Sequence, residues 1–372
     1  MQFKDVVGQE EVKEKLRKQV RSGHLPHALL LAGETGYGTM GLALALANLL
    51  LCNNAGETDS CGTCSGCVKV DKLIHPDLHF SFPVIKITKT TNSDDYLKKW
   101  REMLINDKYF DMNDWVKVIG AEKKSTVIPE PESQNIIQKL SLSPYEGGWK
   151  IMIIWLPEQM NATSANTLLK TLEEPFGKTL FILCSEHPEQ LLPTIISRTQ
   201  RIDVPPINTN YMYEALTKQR GIDSTTAEHI ARVSKGNYLT ALRHLCDDDD
   251  SQVMLDKFIS LMRLAYMRDV KGLTEWSESL ASLNRDEQKH QLEYMQNLIR
   301  ENFMYNFGRP ELNFMTQKEL KFAQSFAPYI NERNVIGFAE EYQRAHNDIS
   351  NNVHSKTVWF NLALQTIILI NK

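Results

Sequence analysis

The sequence contains no apolar run of the roughly 18 uncharged residues that a membrane-spanning helix needs. Its final apolar stretch, Val358 to Ile370, is short and carries Asn361 and Gln365, which fits a buried helix and no membrane contact. There is no block of basic residues and no low-complexity tract, and the formal net charge is −4. A protein that binds DNA by itself usually concentrates Lys and Arg on one face. If this chain meets DNA, other subunits are expected to supply much of the charge. The N-terminal MQFKDVVGQEEVKEKL is charged within a few residues and does not fit a signal peptide, so a cytoplasmic protein is expected. Cysteine is scarce, six in 372 residues, yet Cys52, Cys61, Cys64 and Cys67 fall within sixteen. In a cytosolic protein such crowding favours a metal over disulfides.

What is present reads as an ordinary globular chain, 42% hydrophobic and 24% charged. Its length accommodates two or three domains. Residues 1–206 alternate strand-like and helix-like segments. Ala28 to Ala32, Lys150 to Leu156 and Thr179 to Cys184 are short apolar runs of the kind that form buried parallel strands. Glu10 to Ser22, Thr39 to Leu51 and Asn161 to Glu173 read as helices between them, the last stopped by Pro175. This alternation predicts an α/β domain with a parallel sheet. Pro205 and Pro206 end it. Residues 207–250 read as a small helical unit closed by the acidic run Asp247 to Asp250, and 251–372 as about six helices.

Residues 86–127 fit the α/β rhythm poorly. One amphipathic helix is expected there, capped by Ser93 and striped with Tyr96, Trp100, Met103 and Leu104. Nine basic residues (86, 89, 98, 99, 101, 108, 117, 123, 124) nearly balance seven acidic ones (94, 95, 102, 107, 111, 114, 122), which argues against a nucleic-acid patch. An insertion packed on the sheet domain is the favoured reading, and a partner-docking surface the other.

The stretch LLLAGETGYGTMGLALALANLLLC, residues 29–52, has the outline of a phosphate-binding loop, G-x-x-x-x-G-K-[ST], between a strand and a helix. Gly33 and Gly38 stand in place, with Gly36 between them. Thr39 and Met40 stand where the lysine that neutralises phosphate and the hydroxyl that ligates magnesium belong. The second half of such a site is normally an Asp-Glu pair closing another strand. Here Trp155 and Leu156 end the run beginning at Lys150, with Glu158 beyond Pro157. Two separately located parts of one catalytic site are missing together, so no ATP hydrolysis and no nucleotide cofactor are expected, although the loop amides could still form a weak anion nest. The competing reading is an unrelated α/β domain with an incidental glycine-rich turn.

VVGQEEVKEKL, GHLPHALLLAG, MNATSANTLLKTLEEP and LLPTIISRTQRI together resemble the clamp-loader branch of the AAA+ ATPases. The pairing of NTLLKTLEEP with TIISR is the most specific part, and the motifs cover residues 1 to about 245. The resemblance implies an AAA+ parallel-sheet domain, a small helical lid and a C-terminal helical collar that holds a five-membered ring together. It also implies partners: gamma/tau motor subunits, a delta subunit that grips the sliding clamp, and primed DNA reached through the assembly. Within that branch, Ser197-Arg198-Thr199 matches a Ser-Arg-Cys motif whose arginine projects into the ATP site of the neighbouring subunit. Arg198 is therefore expected to act in trans, with Thr199 as a departure that removes no charge. A surface arginine in a salt bridge is the plainer alternative. In the lid, Leu239 of GNYLTAL replaces an arginine that in the family senses nucleotide.

Four thiolates at Cys52-x8-Cys61-x2-Cys64-x2-Cys67 suit a tetrahedral, structural Zn2+. Gly62 and Gly66 are expected to ease the turns, and the resemblance implies the same spacing. A redox pair and an iron–sulfur cluster are the alternatives; His75 and His79 nearby read as structural. Two other functions remain open at this point: an active ATPase with unorthodox residues, and a zinc-dependent nucleic-acid binder.

Overall fold

Five of the segments richest in apolar residues or flanking them pair into one sheet. In the computed structural model, which describes residues 1–371 except 89, 122–123, 147, 247 and 310–312, the strands in chain order are β1 (Ala28–Ala32), β2 (Leu78–Ser81), β3 (Val84–Ile85), β4 (Thr126–Val127), β5 (Lys150–Trp155), β6 (Thr179–Ser185) and β7 (Gln200–Asp203). The large sheet has the order β2-β5-β6-β1-β7 and every pairing within it is parallel. The side chains alternate between two buried faces. Leu29, Leu31, Ile151, Ile153 and Trp155 join one core, and Leu30, Met152, Ile154 and Phe181 the other. Burial on both sides explains why β1, β5 and β6 read as nearly unbroken apolar runs.

The first face is covered by the helix Thr39–Leu50, whose residues from Met40 to Leu49 are all buried. The second is covered by the helices Glu130–Ser141 and Ala162–Glu173, through Ile136, Leu140, Leu168 and Leu172. Asn161 caps the latter, its side chain accepting a 2.7 Å hydrogen bond from the Ser164 amide.

The segment 86–127 is packed on the first face. Its anticipated helix is a 3-10 turn, Ser93–Tyr96, followed by the α-helix Leu97–Asn106. The cap is Asn92, which accepts from the Asp94 amide; Ser93 is buried and its own amide donates to Glu132. Ser93 had looked like the cap because it directly precedes two acids, but its side chain lies in the wall of the core. A second helix, Met112–Ile119, was not anticipated. It is capped by Asp111 and buries Trp115 and Ile119. The antiparallel pair β3–β4 brackets the segment. Lys89, Glu122 and Lys123, counted in its charge balance, lie outside the described residues.

By compactness the chain divides into two units, Met1–Leu242 and Arg243–Lys372. The helices Thr209–Arg220 and Ser224–Val233 and the start of Tyr238–Cys246 belong to the first unit. Asp247, in the acidic run, lies outside the described residues. The second unit is helical. Its core gathers Phe258, Leu261, Trp276, Phe338 and Trp359, and the Trp359 indole donates to Gln288 at 2.9 Å. The final apolar stretch lies within its last helix, Ser355–Ile370. Among the described residues no helix is long and apolar enough to cross a membrane.

Trp100 is fully buried and stacks on Phe82, with ring centroids 4.1 Å apart. Replacing Trp100 with Ala is expected to destabilise the first unit by about 3–5 kcal/mol, the range for deleting a large buried aromatic. Urea denaturation followed by circular dichroism measures it, and a loss below about 1 kcal/mol would contradict the packing described.

Candidate functional site

The glycine-rich loop leaves the C-terminal end of β1, the end at which parallel sheets bind ligands. Gly36 and Gly38 take left-handed φ values of 83° and 96°. Gly33 is needed for close approach: a Cβ there would stand 2.7 Å from the Val204 carbonyl oxygen. Gln9 braces the loop from outside, its side-chain amide donating to the carbonyls of Tyr37 (3.1 Å) and Pro205 (2.6 Å). The loop thus has the backbone outline of a phosphate cradle, with Thr39 opening the helix beyond it and Met40 buried.

At the end of β5 the chain forms a hydrophobic anchor. Trp155 ends β5 with 3% of its surface exposed. Its ring packs against Trp100 (5.3 Å between centroids) and Phe110 (5.0 Å), both from the insertion. Leu156 is buried in a left-handed conformation, and its amide donates to the Cys184 carbonyl. Glu158 is turned away to the end of β6. It accepts from the Ser185 hydroxyl (2.9 Å) and from the amides of Glu186 (2.9 Å) and His187 (3.1 Å).

An acidic side chain, Glu186, also reaches the loop. Burial above all, with the negative charges of Glu158 and Asp111, pushes the Glu186 carboxyl up to about 7 against a hydrogen bond from Thr35 of the loop.

Two elements distant in sequence close over the loop. Asn237 donates from its side chain to the Thr35 carbonyl at 2.8 Å, and the Tyr238 amide donates to the Gly36 carbonyl at 3.1 Å. Tyr109, from the insertion, accepts a 3.1 Å hydrogen bond from the Val7 amide and meets the Tyr238 ring edge-on at 4.8 Å. Leu239 is buried in the helix that Tyr238 begins. Tyr109 and Glu186 do not stand out from the sequence, and Asn237 and Tyr238 lie in the GNYLTAL stretch, where Leu239 alone draws notice. Tyr109 sits 102 residues from its hydrogen-bond partner, and nothing local to it signals the contact.

Arg198 lies apart from this loop, between the short helix Pro193–Ile196 and β7. Its guanidinium pairs with Glu173 and donates to the Thr194 carbonyl at 2.9 Å, while its Nε is buried without a partner. Glu173, in the LEEP stretch already singled out, was not paired with Arg198 by sequence reasoning.

The four crowded cysteines come together. Their Sγ atoms all lie within 4.8 Å of one another, with Cys52–Cys61 at 3.5 Å, Cys52–Cys64 at 3.8 Å and Cys61–Cys67 at 3.9 Å. A tetrahedron of sulfurs about 2.3 Å from a zinc ion has edges of about 3.8 Å, so the spacing fits a four-thiolate centre. It is far from the roughly 2.05 Å of a disulfide. Amides of Cys61, Cys64 and Cys67 donate to sulfurs within the cluster, as the second shell of a thiolate site requires. Gly62 does sit at a left-handed turn, but Gly66 serves packing: a Cβ there would lie 2.3 Å from the Leu51 carbonyl oxygen. Asp59 ties the module to the chain's start by accepting from the amides of Phe3 and Lys4, each at 3.1 Å. His75 is buried among its own partners, accepting from the Asp77 amide and facing Glu146; it does not join the cluster, and neither does His79.

The family described as "DNA polymerase III, delta subunit" matches residues 8–208. The DNA polymerase III subunit delta' of Bacillus subtilis is 27% identical over 262 residues, 70% of this chain and 66% of that protein. Its counterpart from Escherichia coli is 25% identical over 299 residues, 80% of this chain and 76% of that protein. The match thus spans about two thirds of the first relative and three quarters of the second. The DNA polymerase III subunit tau of Bacillus subtilis is 26% identical over 245 residues, 64% of this chain and 36% of that protein.

Glu186 provides a test of the acidic loop environment. Its folded-state value of about 7 lies above the ordinary 4.5, so the folded chain holds the proton more tightly than the unfolded one. That contribution is fully present below pH 4.5 and is lost as pH rises through 7. Glu186→Gln is therefore expected to change the melting temperature little near pH 5 and to raise it relative to wild type near pH 8. An equal difference at both pH values would contradict the assignment.

Proposed function

The chain belongs to the family described as DNA polymerase III, delta subunit, and on that premise we propose that it is a delta-prime-like clamp-loader subunit that completes a neighbour's ATP site without hydrolysing ATP itself. One contrast carries this reading. Residues without catalytic capacity stand at both places where a loop of this kind needs charge, Thr39–Met40 and Trp155–Leu156. An arginine that hydrogen-bonds to Glu173 and to the Thr194 carbonyl is nonetheless presented at Ser197-Arg198-Thr199.

In the free chain Arg198 is held by Glu173 in a partly exposed ion pair. Such pairs contribute at most about 1 kcal/mol. A triphosphate on an adjoining subunit offers more negative charge and several acceptor oxygens, so it can draw the guanidinium away at little cost. There the arginine would stabilise the charge that builds on the transferred phosphoryl group, an effect worth roughly 10³–10⁵ in rate for arginines supplied to a neighbouring active site. Arg198 is the only residue of this chain assigned to the reaction, and its role is electrostatic.

The architecture divides by function into an AAA+ α/β domain (1–206), a helical lid (207–250) and a helical collar (251–372). Through the collar the chain would join gamma/tau ATPase subunits and a delta subunit, and through that assembly act on the sliding clamp and primed DNA. Cys52, Cys61, Cys64 and Cys67 would hold a structural Zn2+. The ion would supply folding energy and no chemistry, fastening residues 52–67 to the end of the helix Thr39–Leu50.

Arg198→Ala is expected to leave assembly intact while DNA-stimulated ATP turnover by the reconstituted loader falls by at least about tenfold. Turnover equal to wild type would remove the proposed role. Replacing Cys61 and Cys64 together with Ser should lower bound zinc from about one per chain to near none and reduce the melting temperature of the first unit. Metal analysis that finds the purified wild type zinc-free and equally stable would contradict the assignment.

A further inference from the structure

The insertion does more than cover the sheet. Its Phe110 and Trp100 are clamped on Trp155, and this holds the neighbouring Tyr109 at the mouth of the glycine-rich loop. There the phenol oxygen and ring edge face Gly38 across contact distance: a Cβ on that glycine would meet Oη at 3.5 Å and Cε1 at 3.6 Å. The same oxygen accepts a hydrogen bond from the Val7 amide, and the ring meets that of Tyr238 edge-on. Tyr109 and Tyr238 are 8% and 2% exposed. A base seated beside such a loop would bring a flat ring and acceptor ring nitrogens; Tyr109 brings a flat ring beside the loop and an oxygen that accepts from the Val7 amide.

We propose that Tyr109 is an internal surrogate for a nucleotide base: it fills the ring slot beside the loop and, through Tyr238, closes residues 237–238 over it. This deepens the functional reading above and rests on it, because it takes the loop to be the remnant of a nucleotide site. It also gives the insertion a task. The pocket lacks charge for phosphate and is occupied as well, so restoring the charge alone would not restore binding. Ring contact with Tyr238, together with the bonds from Asn237 and Tyr238 to the loop, fixes the start of the helix Tyr238–Cys246 without a ligand.

The test uses the full-length chain and titration with a fluorescent ATP analogue plus magnesium. Thr39→Lys combined with Met40→Thr restores the phosphate-holding side chains. This double variant is expected to bind no better than wild type, and adding Tyr109→Ala should tighten binding at least about tenfold. Tyr109→Phe in the same background keeps the ring and should leave binding weak. If the double variant binds as tightly as the triple, the slot was open and the proposal is overturned, while the reading of the loop as a nucleotide site stands. If neither binds although circular dichroism shows both folded, the loop is not such a remnant, and both fall. Should Tyr109→Ala fail to fold, Tyr109→Val vacates the outer half of the ring and carries the same comparison.

Discussion

The packing of Trp155 against Trp100 and Phe110 is the contact on which the first unit's unusual features depend. Trp155 occupies the end of a buried parallel strand, beside the place where a nucleotide-hydrolysing site requires carboxylates. An indole there cannot support a metal ion, but it offers a large apolar surface at the edge of the core. The insertion exploits that surface. Phe82, Trp100, Phe110, Trp115 and Trp155 form one continuous aromatic cluster, with the Trp115 indole donating to the Pro83 carbonyl. The packing of the whole segment thus rests on the side chain that ends β5.

The cysteine module shows the complementary economy at the other end of the helix Thr39–Leu50. The loop beyond that helix has little apolar surface of its own, and Asn53 to Glu57 are exposed. Four sulfurs converge to within metal-binding distance, and Gly66 allows the module's short helix to lie directly against the Leu51 carbonyl. Asp59 then secures the first residues of the chain. The helix that opens under the glycine-rich loop is thus held at both ends by contacts that need no nucleotide.

Much of this was legible in the sequence. The strands β1, β5 and β6 are buried on both faces, so their apolar runs announce them, and the helix expected over Asn161 to Glu173 before Pro175 is found at Ala162–Glu173, with Asn161 as its cap. The cysteine spacing foretold the cluster because ligands close in sequence converge with few loop conformations. What stayed hidden was long-range or shared. The strands β3 and β4 are two residues each, too short for any pattern. Ser93 and Asn92 are both good caps, and only the burial of Ser93 against Glu132 decides between them. Tyr109, Asn237 and Tyr238 meet the loop across large sequence separations, and an isolated tyrosine in an insertion looks the same whether it faces solvent or fills a pocket. Glu173 and Arg198, 25 residues apart, each lay in a recognised motif, but their pairing is a property of the fold.

The central claim is that this chain offers a neighbour an arginine while its own loop holds no nucleotide. Equilibrium binding of radiolabelled ATP to the isolated wild-type chain, with and without magnesium, tests it most directly. The account predicts no saturable binding in the micromolar range under either condition. Submicromolar, magnesium-dependent binding would contradict it, because it would require a working phosphate site at Thr39 and Met40 and a vacant space where Tyr109 stands.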